Sequence, residues 1–221
     1  MKPLSIALPT GKLLSPSIEF LNAIGINCDS LIIDDRRRIY FDNKHKYKLI
    51  LLDPFDIPVY IEHGAADLGI VTKDVLLERN RTVLELLELD YGRGKLVLAR
   101  SENNNFSTLG DIYCYSAVAT NYPNIAFRYF SKRGIPIEII KVSPPVEVAL
   151  ESGLADLMLT CFLENLPDKE IIEIDEIAII PCLIIANRVS FKNFFNQIYY
   201  LIQRMKELIA NRGALNLNPD I

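Results

Sequence analysis

The sequence predicts an α/β protein of two lobes, with largely parallel sheets and a cleft between the lobes. Three observations carry this. Short apolar runs alternate with helix-forming segments along the whole chain, the pattern of βαβ units. Half of the 221 residues are apolar, enough to bury a sizeable core. The turn Tyr91-Gly92-Arg93-Gly94 and the apolar stretch near Ile184 read as two crossings between lobes. They give a discontinuous first lobe, 1–92 plus 183–221, and an inserted second lobe, 93–182. No internal repeat is visible. A cleft between such lobes is a common ligand site.

The elements follow in order. Leu4 to Leu8 reads as a strand. Ser15-Pro16 opens a helix, with Ser15 as cap and Pro16 first in the helix, and Gly25 follows its end. Tyr47 to Leu52 is a buried strand, Ile57 to His63 a short helix, and Leu68 to Val71 a strand. Asp74 to Arg79 is helical and Leu84 to Leu89 extended. Lys95 to Arg100 is a strand, followed by the polar loop Ser101 to Ser107. Ala117 to Thr120 is a strand leading to a helix over Pro123 to Lys132. Pro136 to Val142 is a strand, Val146 to Gly153 a helix, and Ala155 to Phe162 a strand. Ile171 to Ile174 and Ala178 to Ala186 are extended. The last helix starts at a Ser190 cap, carries apolar residues at helical spacing from Phe191 to Ile209, and ends at Gly213. Its apolar face packs on its own lobe or, alternatively, forms a subunit interface.

Composition narrows the function. The net charge is −4, from 24 basic and 28 acidic residues, which argues against nucleic-acid binding driven by backbone electrostatics. The four cysteines (Cys28, Cys114, Cys161, Cys182) form no CxxC pair and read as buried thiols of a reducing cytoplasm. The N-terminus is not a signal peptide, and no apolar run is long enough to span a bilayer. No membrane association is expected.

Four segments are candidates for chemistry. Pro9-Thr10-Gly11-Lys12 leaves a strand and enters a helix. Gly11 lets backbone N–H groups approach an anion there, and Lys12 adds a charge. A plain turn is the simpler reading, because the Walker spacing is absent. The second is Asp53-Pro54-Phe55-Asp56-Ile57-Pro58, then Glu62, Gly64 and Asp67, which follows the small-residue turn Gly64-Ala65-Ala66. Either a turn-and-cap device or a purine or ribose contact fits this pattern. Thr120 through Asn124 joins a strand to a helix, with Thr120 able to cap, again an anion-site geometry. Glu147 opens a helix ahead of Gly153-Leu154-Ala155-Asp156. His45 and His63 have no evident partner in the sequence.

Together these pieces resemble one family. IALPTGKL, DPFDIPVYIEHGAADLGIVTKDVLLE, VATNYPNIAFRYF and EVALESGLA stand in the order and spacing of ATP phosphoribosyltransferase. The resemblance spans roughly residues 4 to 190, and the GAADLGIV block is its most specific part. It implies a two-lobed fold of the type II periplasmic-binding-protein kind. It implies transfer of a phosphoribosyl group from phosphoribosyl pyrophosphate (PRPP) to ATP with Mg²⁺, the first step of histidine biosynthesis. The chain is similar to the short form of the family, which works with a regulatory subunit resembling histidyl-tRNA synthetase, so a homo- or hetero-oligomer is expected. The resemblance places Gly11, Lys12, Asp67, Asp74, Thr120, Asn124, Thr160, Glu164 and Asn165 at substrate-binding positions. Glu147 becomes the catalytic and metal-binding carboxylate.

The chain also departs from the family pattern. Thr10 and Lys12 stand where Lys and Arg are usual, and Asp53 where a basic residue is frequent. Asn121 replaces Lys, and Phe127 replaces Arg. In the PRPP loop Glu147, Gly153 and Ala155 match. Met158 replaces a branched residue, Thr160 replaces Asp, and residues 161–167 (CFLENLP) contain no TGxT. Each charge-assisted phosphate contact is worth roughly 1.5–3 kcal/mol, so these changes bear directly on PRPP affinity. Arg93, Lys95, Arg128 and Lys132 are candidate replacement cations. The alternative to an active enzyme is a non-catalytic paralogue, acting as a nucleotide-binding or regulatory subunit.

Overall fold

The computed structural model describes residues 2–28, 31, 38–42, 44, 46–102, 108–112, 116–163 and 171–216. The chain divides into two compact units, Met1–Gly92 with Pro181–Ile221, and Arg93–Ile180. The chain passes back into the first unit between Ile180 and Pro181.

In the first unit, strand β1 (Leu4–Pro9) runs through a single 3-10 turn (Gly11–Leu13) into helix α1 (Leu14–Ala23). Strands β2 (Ile39–Phe41) and β3 (Tyr47–Leu52), helix α2 (Ile57–Glu62), strand β4 (Leu68–Thr72), helix α3 (Lys73–Arg79) and strand β5 (Leu84–Glu88) follow. In the second unit come β6 (Gly94–Ser101), β7 (Ser116–Thr120), α4 (Pro123–Ser131) and β8 (Ile137–Lys141). A one-turn helix α5 (Val148–Glu151), β9 (Leu157–Phe162) and β10 (Ile171–Ile180) complete it. The chain then returns through β11 (Cys182–Ala186), α6 (Arg188–Asn193) and α7 (Phe195–Asn216) to the first unit.

The sheets are mixed rather than largely parallel. The first has the order β2-β3-β1-β4-β11-β5 and the second β10-β6-β9-β7-β8. Each has a parallel trio, β3-β1-β4 and β8-β7-β9. Antiparallel strands flank each trio: β11 runs against β4, and β6 against β9. The returning segments enter their sheets in the opposite sense to the βαβ strands, which strand periodicity cannot reveal.

The two trios repeat one another. Ile6 pairs with Leu68 and Ala7 with Gly69, while Val118 pairs with Leu157 and Ala119 with Met158. Leu4 opposite Tyr47 corresponds to Ser116 opposite Ile137. An aspartate precedes the third strand of each trio, Asp67 in Gly-Ala-Ala-Asp and Asp156 in Gly-Leu-Ala-Asp. Each accepts from a first-strand backbone N–H, Ser5 to Asp67 at 2.8 Å and Ala117 to Asp156 at 2.9 Å. The internal repeat therefore exists, but it is carried by register and by one short motif.

Local signals explain most boundaries, with three corrections. Helix α1 begins at Leu14, so Ser15 and Pro16 lie within its first turn and Ser15 is not the cap. Helix α5 is only four residues long, with Glu147 at its cap position. The C-terminal helical segment is two helices. Asn187 caps the first, its Oδ1 accepting from Val189 and Ser190 N–H at 2.9 Å each, and the second runs past Gly213 to Asn216. Ser190 cannot cap because its hydroxyl is turned inward to Asp67.

One core cluster joins Ala7, Ile50, Ile57, Ile61, Val71 and Ile185 across the first sheet. A Cβ on Gly69 would come within 2.7 Å of Ile57 Cγ2, so the glycine in the GAADLGIV block permits α2 to lie close on β4. Helix α7 buries Ile198, Leu201, Ile202 and Met205 in its own unit, while Tyr199 and Tyr200 stay exposed. Cys28 and Cys182 are buried as expected, but Cys161 is only half-buried. Cys114 and His45 lie outside the described residues. Among the described residues, no helix is long and apolar enough to cross a membrane.

Candidate functional site

In the first unit the carboxyl ends of β1 and β3 open into a cavity of about 480 Å³. Thr10 lines it from the β1 corner, Leu52 from β3 and Asp53 just after it, Ile39 from β2 and Arg38 just before it, and Tyr60 from α2. The corner is held by Thr10 N–H donating to Leu52 O at 2.9 Å. Gly11 follows with φ +82°, a left-handed conformation that a side chain strains, and Lys12 is exposed beside it. Asp53 Oδ1 accepts from Phe55 N–H at 2.9 Å, an Asx turn that leaves its charge near Arg38 and Tyr60. The cavity thus combines one cation, one carboxylate, an aromatic ring and apolar walls. Arg38, Tyr60 and Ile39 escaped the sequence reading. The Arg36-Arg37-Arg38 run was the available signal for the first of them.

Asp67 lies at the opposite end of the strands, just before β4. It is 2% exposed. Its Oδ2 accepts from Ser5 N–H at 2.8 Å and Ser5 Oγ–H at 2.6 Å, and its Oδ1 accepts from Ser190 Oγ–H at 2.5 Å. Its carboxylate ties the start of β1 to the turn before β4 and to α6. Asn187 extends this knot, donating from Nδ2 to Ile61 O at 2.7 Å and to Glu62 O at 3.2 Å. Asp74 is buried in the first turn of α3, where an acid favours the helix dipole. Burial, with Asp74 adding to it, pushes the Cys182 thiol up to about 12. Of the first-lobe candidates, only Gly11 and Lys12 adjoin the cavity corner.

In the second unit Thr120, Asn121 and Thr160 meet at the carboxyl ends of β7 and β9. Thr120 is fully buried. Its hydroxyl donates to Leu159 O at 2.6 Å and accepts from Tyr122 N–H at 2.8 Å. It therefore braces the turn instead of capping α4, whose cap position is Tyr122. Thr160 Oγ1 donates to Asn121 Oδ1 at 3.1 Å. Asn124 is exposed in the first turn of α4, and Glu147 is half-buried. Glu164 and Asn165 lie outside the described residues. Of the candidate cations, Lys95 is engaged by Glu173 at 2.9 Å and Glu176 at 2.8 Å, which raise its pKa. His63 is exposed at the end of α2.

By the internal register, Pro9-Thr10-Gly11 corresponds to Asn121-Tyr122-Pro123. Both corners follow the first strand of a parallel trio, and both precede a helix. Ligands of α/β sheets gather outside such carboxyl ends.

Comparison with known proteins fixes the class first. The fold is of the two-lobed type II periplasmic-binding-protein kind. A truncated arginine-bound ArgBP from Thermotoga maritima matches with a TM-score of 0.59 at 11% identity, covering 95% of this chain and 96% of that one. At that identity the likeness concerns fold alone. The ATP phosphoribosyl transferase (HisG:HisZ) complex from Thermotoga maritima matches better, with a TM-score of 0.78 at 26% identity over 94% of this chain and 99% of that one.

The family follows from sequence. The ATP phosphoribosyltransferase family model matches residues 53–207. An ATP phosphoribosyltransferase of Halothermothrix orenii is 37% identical over 215 residues, 96% of both chains. One of Caldanaerobacter subterraneus subsp. tengcongensis is 35% identical over 211 residues, 95% of this chain and 99% of its own. The chain belongs to the ATP phosphoribosyltransferase family, which are glycosyltransferases.

Proposed function

We propose that this chain catalyses the first step of histidine biosynthesis, joining ATP to PRPP with release of pyrophosphate. The observation that carries it is the near-full-length match to ATP phosphoribosyltransferases at 37% identity. That match favours the enzyme over a non-catalytic paralogue.

The cavity beside Thr10 suits a purine nucleotide. Tyr60 and the apolar walls can take the base, and Arg38 and Lys12 can attract phosphate. The corner at Asn121 and the segment after β9 serve the PRPP phosphates. Thr160, Asn124 and Glu147 border this second corner by sequence and strand register. Glycosyl transfer separates charge at the anomeric carbon, so the chain's task is to orient both substrates and stabilise the departing pyrophosphate. Asp67, Ser5 and Ser190 lie outside the cavity lining and hold the first unit's fold.

Among the described residues, no three of His, Cys, Asp and Glu cluster as a metal site. Mg²⁺ commonly takes one or two carboxylates together with substrate phosphates, so PRPP would carry the ion to the site. Glu147 is the carboxylate available for such a contact. Bound Mg²⁺ would neutralise charge developing on the pyrophosphate. A regulatory subunit resembling histidyl-tRNA synthetase completes the reading, supported by the likeness to the HisG:HisZ complex. The cytoplasm is its place.

The test is pyrophosphate release from ATP, PRPP and Mg²⁺ by the purified chain, alone and with such a subunit. Turnover dependent on both substrates supports the reading. No turnover in either mixture overturns it.

A further inference from the structure

Asn121 follows the last residue of β7, and Thr160 lies in the neighbouring parallel strand β9, one residue beyond their shared ladder. Thr120 stands opposite Leu159 in the β7–β9 register, so the next residues on each chain, Asn121 and Thr160, lie side by side. Strand β7 leads through α4 to β8 on one side, whereas β9 lies on the other. Such a reversal of direction is the usual ligand position of α/β sheets.

The hydrogen bond between these residues has a direction. Thr160 is 6% exposed and its Oγ1 donates to Asn121 Oδ1 at 3.1 Å. The Thr120 hydroxyl is already committed to Leu159 O and Tyr122 N–H, so it does not compete. A primary amide has one acceptor end and one donor end. With Oδ1 turned to Thr160, Nδ2 faces away from the pair, and among the described residues it meets no acceptor. A donor facing outward attracts an anion, whereas a carbonyl facing outward would repel it.

We infer that Thr160 is a positioning residue that holds the Asn121 amide donor-outward, so that Nδ2 donates to a phosphate oxygen of PRPP. This rests on the proposed function.

The test is calorimetric titration of the full chain with PRPP plus Mg²⁺, and separately with ATP. Thr160→Val keeps the shape but removes the donor. It weakens PRPP binding by about three- to tenfold and leaves ATP binding unchanged. Thr160→Ser restores PRPP affinity. Asn121→Asp is isosteric, lies on a half-exposed turn and replaces the donor by charge. It weakens PRPP by more than about tenfold and, if Thr160→Val does not fold, tests the Asn121 contact on which the inference depends. Wild-type PRPP affinity in Asn121→Asp overturns the inference, as does equal weakening of ATP and PRPP by Thr160→Val. A wild-type chain that binds ATP but no PRPP overturns the inference and the proposed function together. Wild-type turnover with unaffected variants overturns the inference alone.

Discussion

The Thr160 hydroxyl donates to the Asn121 carbonyl oxygen, so the strand β9 and the turn after β7 are joined through two side chains. Both side chains are uncharged, so the contact is a neutral hydrogen bond. Burying an ion pair carries a desolvation cost that a neutral bond avoids.

The contact should be visible in stability. Thr160→Asp alone sets a carboxylate in a position 6% exposed, facing a carbonyl, and lowers stability by about 1–3 kcal/mol. Adding Asn121→Lys supplies the opposite charge and recovers part of it. Urea unfolding of both single variants and the double variant measures the coupling. Strict additivity would mean that the two side chains do not interact.

The Asp67 knot should dominate the stability of the first unit. Ser190→Ala removes one charge-assisted bond to a buried carboxylate and costs about 1.5–3 kcal/mol. Asp67→Ala strands Ser5 and Ser190 together and costs more. Neither changes a residue lining the cavity, so KM for ATP stays near wild type at temperatures where the variants are folded. A large ATP effect without loss of stability would show Asp67 to be a ligand instead.

Alkaline pH should destabilise the fold through two buried groups. Burial pushes the Cys182 thiol up to about 12, and burial, with Cys182 adding to it, raises the Tyr91 phenol above its ordinary range. The folded state therefore holds these protons more tightly than the unfolded chain. The stability they contribute is fully present below the unfolded thiol value of about 8.5 and declines as pH rises towards about 12. Urea midpoints between pH 8 and pH 11 measure the slope. Cys182→Ala should flatten it, and an unchanged slope would remove the thiol as its source.

The carboxylate of Asp53 should oppose anion binding in the cavity. Asp53→Asn keeps the acceptor for Phe55 N–H and removes the charge beside Arg38. ATP affinity should rise by about two- to fivefold at low salt, with less gain at high salt. Unchanged affinity at low salt would place the ATP phosphates away from this corner.

Lys12 is exposed on the 3-10 turn after Gly11, so Lys12→Ala should leave the unfolding midpoint unchanged. It should weaken ATP binding by about two- to fivefold at low salt, through loss of one point charge. A change in stability without a change in binding would assign Lys12 to the fold.

Much of the fold was legible in the sequence because buried strands and short helices leave local marks. The strand Tyr47–Leu52 was bounded by its apolar run, and α2 by its Pro58 and by Gly64. The family was legible too, because IALPTGKL and GAADLGIV hold their order and spacing over most of the chain. Tertiary structure alone decided how those motifs are used. The GAADLGIV aspartate is a buried brace because Ser5, 62 residues away, and Ser190, 123 residues away, close on it. The antiparallel flanks depend on where returning strands find a free edge, and the repeat of the two trios rests on register. The pairing of Asn121 with Thr160 spans 39 residues and exists only once β7 and β9 lie side by side. Periodicity records the environment of each residue along its own element, whereas partners across a sheet are chosen by the packing of the whole unit.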